Sequence, residues 1–79
     1  AYVYAVGLNS AGKRTEALIV LRAVDKRHPY DLETLSALVS MNREAGSTRN
    51  ALAYARKIAE VLPDDPSVKR MLAELEGAR

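Results

Sequence analysis

The sequence predicts an all-α fold of antiparallel helix pairs, about five helices in all. Three observations predict it. Apolar residues recur at steps of one, three and four, the pattern of helices that each bury one stripe. Gly and Pro punctuate the chain at near-regular intervals, with Gly at 7, 12, 46 and 77 and Pro at 29, 63 and 66. The chain also lies onto itself when it is displaced so that Ala11 meets Ala45. In that register Gly12, Ala17, Leu18, Arg22, Pro29 and Asp31 fall on Gly46, Ala51, Leu52, Arg56, Pro63 and Asp65. Such a period marks a repeat architecture, in which one unit cannot bury its face alone and neighbours stack. No stretch alternates with period two, so a sheet is not expected.

The first helix runs from the chain start to about Ala11. Ala1, Tyr2, Val3, Tyr4, Ala5, Val6, Leu8 and Ala11 cover nearly its whole circumference at about 100° per residue. A helix apolar all round is normally buried on more than one side. No initiator Met or capping residue precedes it. The helix therefore reads as already under way, and the chain as a piece of something longer. Self-association through this helix into a homo-oligomer is expected, with a two-fold pairing the simplest closed form.

Gly12 follows, where a chain leaving a helix needs a left-handed residue. A second helix is predicted over 14–28, with Ala17, Leu18, Leu21 and Val24 on its apolar stripe. Pro29 cannot continue it. Asp31 is a good N-cap for a third helix over 32–45, marked by Leu32, Leu35, Leu38 and Val39. Gly46 repeats the role of Gly12, and Ser47 or Thr48 is expected to accept from the free N–H groups of the next helix. That fourth helix, over 48–62, places Ala51, Leu52, Ala55, Ile58, Ala59 and Leu62 on one stripe. Arg49, Arg56, Lys57 and Glu60 lie away from it. Pro63 ends it, Asp65 caps the last helix, and Pro66 suits its first position. The last helix, over 66–76, buries Val68, Met71, Leu72 and Leu75. It turns Lys69, Arg70, Glu74 and Glu76 to solvent, as a terminal cap should. The units are thus 1–31, 32–65 and 66–79.

Composition narrows the function. The 79 residues are 48% apolar, and thirteen of them are Ala. That builds one thin core, not a deep enzyme pocket with a shell around it. There is no Cys, which excludes disulfides, Cys-ligated zinc and thiol nucleophiles. Charge is balanced, with 12 basic residues against 10 acidic. No apolar run approaches the length of a membrane-spanning helix and no basic n-region is present, so transmembrane and signal-peptide readings fail for this stretch.

A helix pair in each period, with Gly at the turn, small Ala in the second helix and Pro at its end, resembles the tetratricopeptide repeat. The first unit supplies Gly12, Ala17, Leu21 and Pro29; the second supplies Gly46, Ala51, Ala55 and Pro63. The resemblance covers two repeats plus a terminal helix. Several family positions depart. The first-helix aromatic is Leu8 in one unit and Asn42 in the other, the large second-helix residue has shrunk to Ala55, and the small residue after it is Val24 or Ile58. The resemblance implies a short right-handed solenoid whose concave face binds a protein or peptide without catalysis. It places Tyr2, Val6 and Asn9 on that face from the first unit. Glu33, Ser36, Ser40 and Arg43 come from the second, and Arg70 and Glu74 from the last helix. Tyr2, Val6, Asn9, Ser36, Ser40, Arg43 and Arg70 are the expected peptide-binding set. The Lys and Asn of family members that clamp a C-terminal carboxylate are replaced by Tyr2, Val6, Ser36 and Ser40, so chaperone-tail binding is not expected. The runs Tyr2 to Ala5 and His28 to Asp31 also resemble repeats at the C-terminal end of some bacterial periplasmic multihaem cytochrome-like proteins. No haem-attachment motif is present, so that resemblance implies a regulatory or assembly tail with any haem upstream.

Other chemistry is sparse. His28 has no Ser or Cys partner at a recognisable spacing, and as a cation it suits a helix C-terminus. Asp64 and Asp65 lack the further ligands a metal needs, and capping explains Asp65. Glu74 and Glu76, two apart on a helix, diverge. Basic pairs stand at 13–14, 26–27, 56–57 and 69–70. An RNA-binding repeat surface would need them on one stripe with aromatics, yet acidic residues intervene and the Tyr residues do not accompany them. RNA binding is the alternative to protein binding. No cofactor or metal is expected.

Overall fold

Local chemistry sets the turns, and the turns repeat. The computed structural model describes the backbone of residues 2–77 and the side chains of residue 5 and residues 7–77. Gly12 and Gly46 both take left-handed φ, +81° and +77°. At each, two N–H groups fold back on the helix just ended. Gly12 and Lys13 donate to the carbonyls of Asn9 and Leu8; Gly46 and Ser47 donate to those of Arg43 and Asn42. These are two Schellman endings, one period apart. The second pair of turns also matches. His28 and Leu62 donate to Val24 and Ile58, and Asp31 and Asp65 donate to His28 and Leu62.

Five α-helices result: α1 (Tyr2–Ser10), α2 (Arg14–Arg27), α3 (Leu32–Glu44), α4 (Thr48–Val61) and α5 (Pro66–Gly77). No strand occurs among the described residues. Consecutive helices pack on one another, and α1 also reaches α3. The starts of α3 and α5 follow the sequence expectation. The Asp31 carboxylate accepts from the Thr34 N–H at 3.1 Å and from the Thr34 hydroxyl at 2.6 Å. Asp65 accepts from the N–H groups of Ser67 and Val68, with Pro66 at the first helical position. The start of α4 differs. Ser47 holds the N-cap position, but its side chain caps nothing. Its backbone serves both helices: the N–H donates to the Asn42 carbonyl to close α3, and the carbonyl accepts from Ala51 in α4.

The apolar interior is divided in two, with α3 as the shared wall. On one side Leu35 and Val39 of α3 meet Ala51, Ala55 and Ile58 of α4 and Val68 and Leu75 of α5. On the other, Leu38 and Met41 meet Ala5 of α1 and Ala17 and Leu21 of α2. Ala17, Ala51 and Ala55 are fully buried in these clusters, where larger side chains would have to displace their neighbours. Tyr54 packs against both clusters. Asn42, at the position where the resembled family carries an aromatic, is fully buried and donates to the Leu38 carbonyl at 2.7 Å. Its amide nitrogen is thus paired within its own helix. Along α5, Lys69 and Ala73 are exposed at the positions that Leu35 and Val39 occupy one period earlier. The face that α3 buries against α4 is therefore polar or small on α5.

The Asp31 cap gives an acid dependence of known sign. The Thr34 hydroxyl and then the Thr34 N–H hold the carboxyl below its ordinary value. A depressed folded-state pKa gives stability that is complete above the unfolded-state pKa and lost as pH falls through the folded one. Asp31→Ala should lower the melting temperature at neutral pH, and the gap from wild type should close on acidification below the ordinary carboxylate range. A gap independent of pH in circular-dichroism melts would assign the loss to packing instead.

Candidate interaction groove

The third helix leaves one stripe uncovered. Ser36, Ser40 and Arg43, at steps of four and three, are all exposed along it. Across from them lies α5, but the two helices are held apart: each packs on α4, and no Cα pair of α3 and α5 lies within 8 Å. The cleft between them encloses about 330 Å³. Its floor is apolar, from Val39, Ile58 and Leu62; its α5 wall is Ser67, Val68 and Met71. Arg43 supplies the cation on the rim. Asp65 lies in the lining too, but one of its oxygens already accepts from two backbone N–H groups of α5. The chemistry offered is an apolar trough edged by hydroxyls, with one guanidinium free of described ion pairs.

The expected binding residues separate into groups. Ser36, Ser40 and Arg43 converge on this cleft. Asn9 does not join them: it lines a different hollow, at the α1–α2 turn with Lys13, Arg14 and Thr15. Arg70 is exposed on α5 but is not in the cleft lining, and neither is Glu74. The side chains of Tyr2 and Val6 lie outside the described residues, as do those of Val3 and Tyr4, on which the expected self-association rests. Sequence reasoning missed the α5 wall. The one-period shift carries the exposed stripe of α3 onto Arg70 and Glu74. A cleft, however, is walled by the facing sides of two neighbouring helices, and on α5 that side is Ser67, Val68 and Met71.

Two further polar features stand elsewhere. Arg56 and Glu76 approach to 3.8 Å, both more than half exposed, a geometry that contributes little. The tyrosines, expected to stand apart from the basic residues, do not all do so: the Lys57 ammonium lies 5.6 Å from the Tyr30 ring centroid and 5.9 Å from that of Tyr54. It also donates to Asp25 at 3.1 Å. The available signal was the spacing of Asp25 and Lys57, two positions short of one period, which joins equivalent helices of adjacent units. His28 is exposed at the C-cap of α2 and does not line the cleft. No group of three or more His, Asp or Glu side chains converges among the described residues. No described helix is long and apolar enough to cross a membrane.

No family model, curated protein or solved structure matches this chain.

Proposed function

We propose that the chain is a non-catalytic interaction module of the tetratricopeptide kind, receiving a peptide segment of a protein partner in the cleft between α3 and α5. One observation carries the reading: a cleft with an apolar floor, formed by the part-exposed Leu62 and the largely buried Val39 and Ile58, lies beneath a rim of Ser36, Ser40, Ser67 and Arg43. Binding sites are typically apolar with a few placed polar groups that fix orientation. The recurrence of the same turn hydrogen bonds one period apart supports the repeat assignment. A bound segment would bury side chains on the floor, hydrogen-bond its backbone to the serines, and set a carboxylate against Arg43.

The test is selection of peptides from a random display library on the immobilised chain, followed by NMR titration of the labelled chain. Resonances of Ser36, Ser40, Arg43, Ser67 and Met71 should shift together. Arg43→Ala should weaken a selected acidic peptide roughly five- to tenfold, the low end for a charge-assisted hydrogen bond because Arg43 is exposed. Shifts confined to other faces would end the reading, and an unchanged affinity would remove Arg43 from the site.

A further inference from the structure

Besides the packing of α1 and α2 on α3, side chains join the second helix of the first pair, α2, to that of the second, α4. No Cα pair of α2 and α4 lies within 8 Å. Side chains cross the gap instead. Lys57 of α4 donates to the Asp25 carboxylate of α2 at 3.1 Å. The Lys57 side chain is 33% exposed and that of Asp25 14%, against 63% and 55% for the Arg56–Glu76 pair. Water therefore screens this pair much less. The other Asp25 carboxylate oxygen is buried without a partner, so Lys57 is the only described cation balancing that carboxylate.

Two rings complete the arrangement. Tyr54 is the residue that packs on both apolar clusters, and Lys57 lies near its ring. Tyr30, in the turn between α2 and α3, lies near the same ammonium. Tyr30 has φ of +75°, a left-handed conformation that is unfavourable for a residue with a side chain. Asp64, its counterpart one period later, does not share it. The first turn thus departs from the second where its ring meets Lys57. An ammonium near two ring faces and bound to a carboxylate is attracted by all three.

We propose that Lys57 is a latch that couples the first helix pair to the second. While Asp25 and the two tyrosines hold it, the gap between α2 and α4 is bridged and the angle between the pairs is fixed. Once it is released, α1 and α2 are held to α3 only by the cluster around Leu38 and Met41, they open from it more readily about the Tyr30 turn, and the side of Tyr54 that joins the clusters meets water. The latch adds to the α2–α3 and α1–α3 packing that already joins the pairs, and so raises the free energy of sub-global opening at that boundary.

Hydrogen–deuterium exchange of the full chain tests this, using wild type, Lys57→Met, Asp25→Asn and the double variant. Each single change should speed exchange of the slow amides of α1 and α2 about tenfold relative to those of α4 and α5. The double variant should be no faster than the faster single one, because the partners act as one unit. It leaves neither charge unpaired, so it remains testable where a single variant fails to fold. Equal acceleration in all helices, unchanged rates, or effects that multiply in the double variant would overturn the latch.

Discussion

Leu35→Ala should destabilise the chain by about 2–5 kcal/mol, the range for deleting a fully buried leucine side chain. Leu35 is 0% exposed and sits on the face of α3 that packs on α4, in a cluster that Val68 and Leu75 of α5 also join. Its neighbours in that cluster include Ala51 and Ala55, which have no side-chain length with which to collapse into the space. The cavity should therefore stay largely open, and the loss should fall in the upper part of the range. A domain of this size is stable by roughly 4–12 kcal/mol in all. The variant is then expected to lie close to unfolding at body temperature. In urea its midpoint should fall sharply with little change of slope. A loss below about 1 kcal/mol would mean that α3 and α4 do not meet at this residue.

Ala51→Leu tests the same contact from the other side. Ala51 is also 0% exposed, and it belongs to the cluster in which α4 packs on Leu35 and Val39 of α3. Added methylenes must push the helices apart or force poor rotamers, at about 1–3 kcal/mol. Ala53 provides the control. It stands two positions further along the same helix and is exposed. Ala53→Leu should change stability by no more than about 0.5 kcal/mol in either direction. The comparison separates overpacking from any general effect of leucine in α4. Equal losses at the two positions would argue against close approach at Ala51.

These contrasts follow the line between what the sequence made legible and what it did not. Gly12 and Gly46, Asp31 and Asp65, and the ends at Pro29 and Pro63 were readable because each acts on its own backbone nearby. The five helices were readable because one buried stripe per helix leaves a period in the sequence. The cap expected from Ser47 or Thr48 does not form: Ser47 holds the N-cap position with ψ of 72°, short of the extended backbone that aims an N-cap oxygen at the next helix. The α5 wall of the cleft, the Lys57–Asp25 pair and the left-handed Tyr30 were not readable. Each depends on the angle at which helices cross, and periodicity carries the face of a helix but not its angle. Of the candidate site, Ser36, Ser40 and Arg43 came from the tetratricopeptide resemblance, which places them on one face of α3. Asn9 and Arg70 did not join them, because equivalent positions in successive units need not face the same hollow.

The two-sided burial of α3 also decides where this chain is free to change over evolutionary time. Leu35 and Val39 are held by one cluster, Leu38 and Met41 by the other, and Thr34 and Asn42 are buried as well. The exposed positions on the helix are Glu33, Ser36, Ser40, Arg43 and Glu44. Three of those five line the cleft. Substitutions there escape the constraint that packing imposes elsewhere on α3. Drift and selection can thus rewrite the character of this wall, from hydroxyl to charged or aromatic, in single steps that leave the scaffold intact. Divergent copies of such a chain should vary more at these exposed rim positions than at the buried residues behind them.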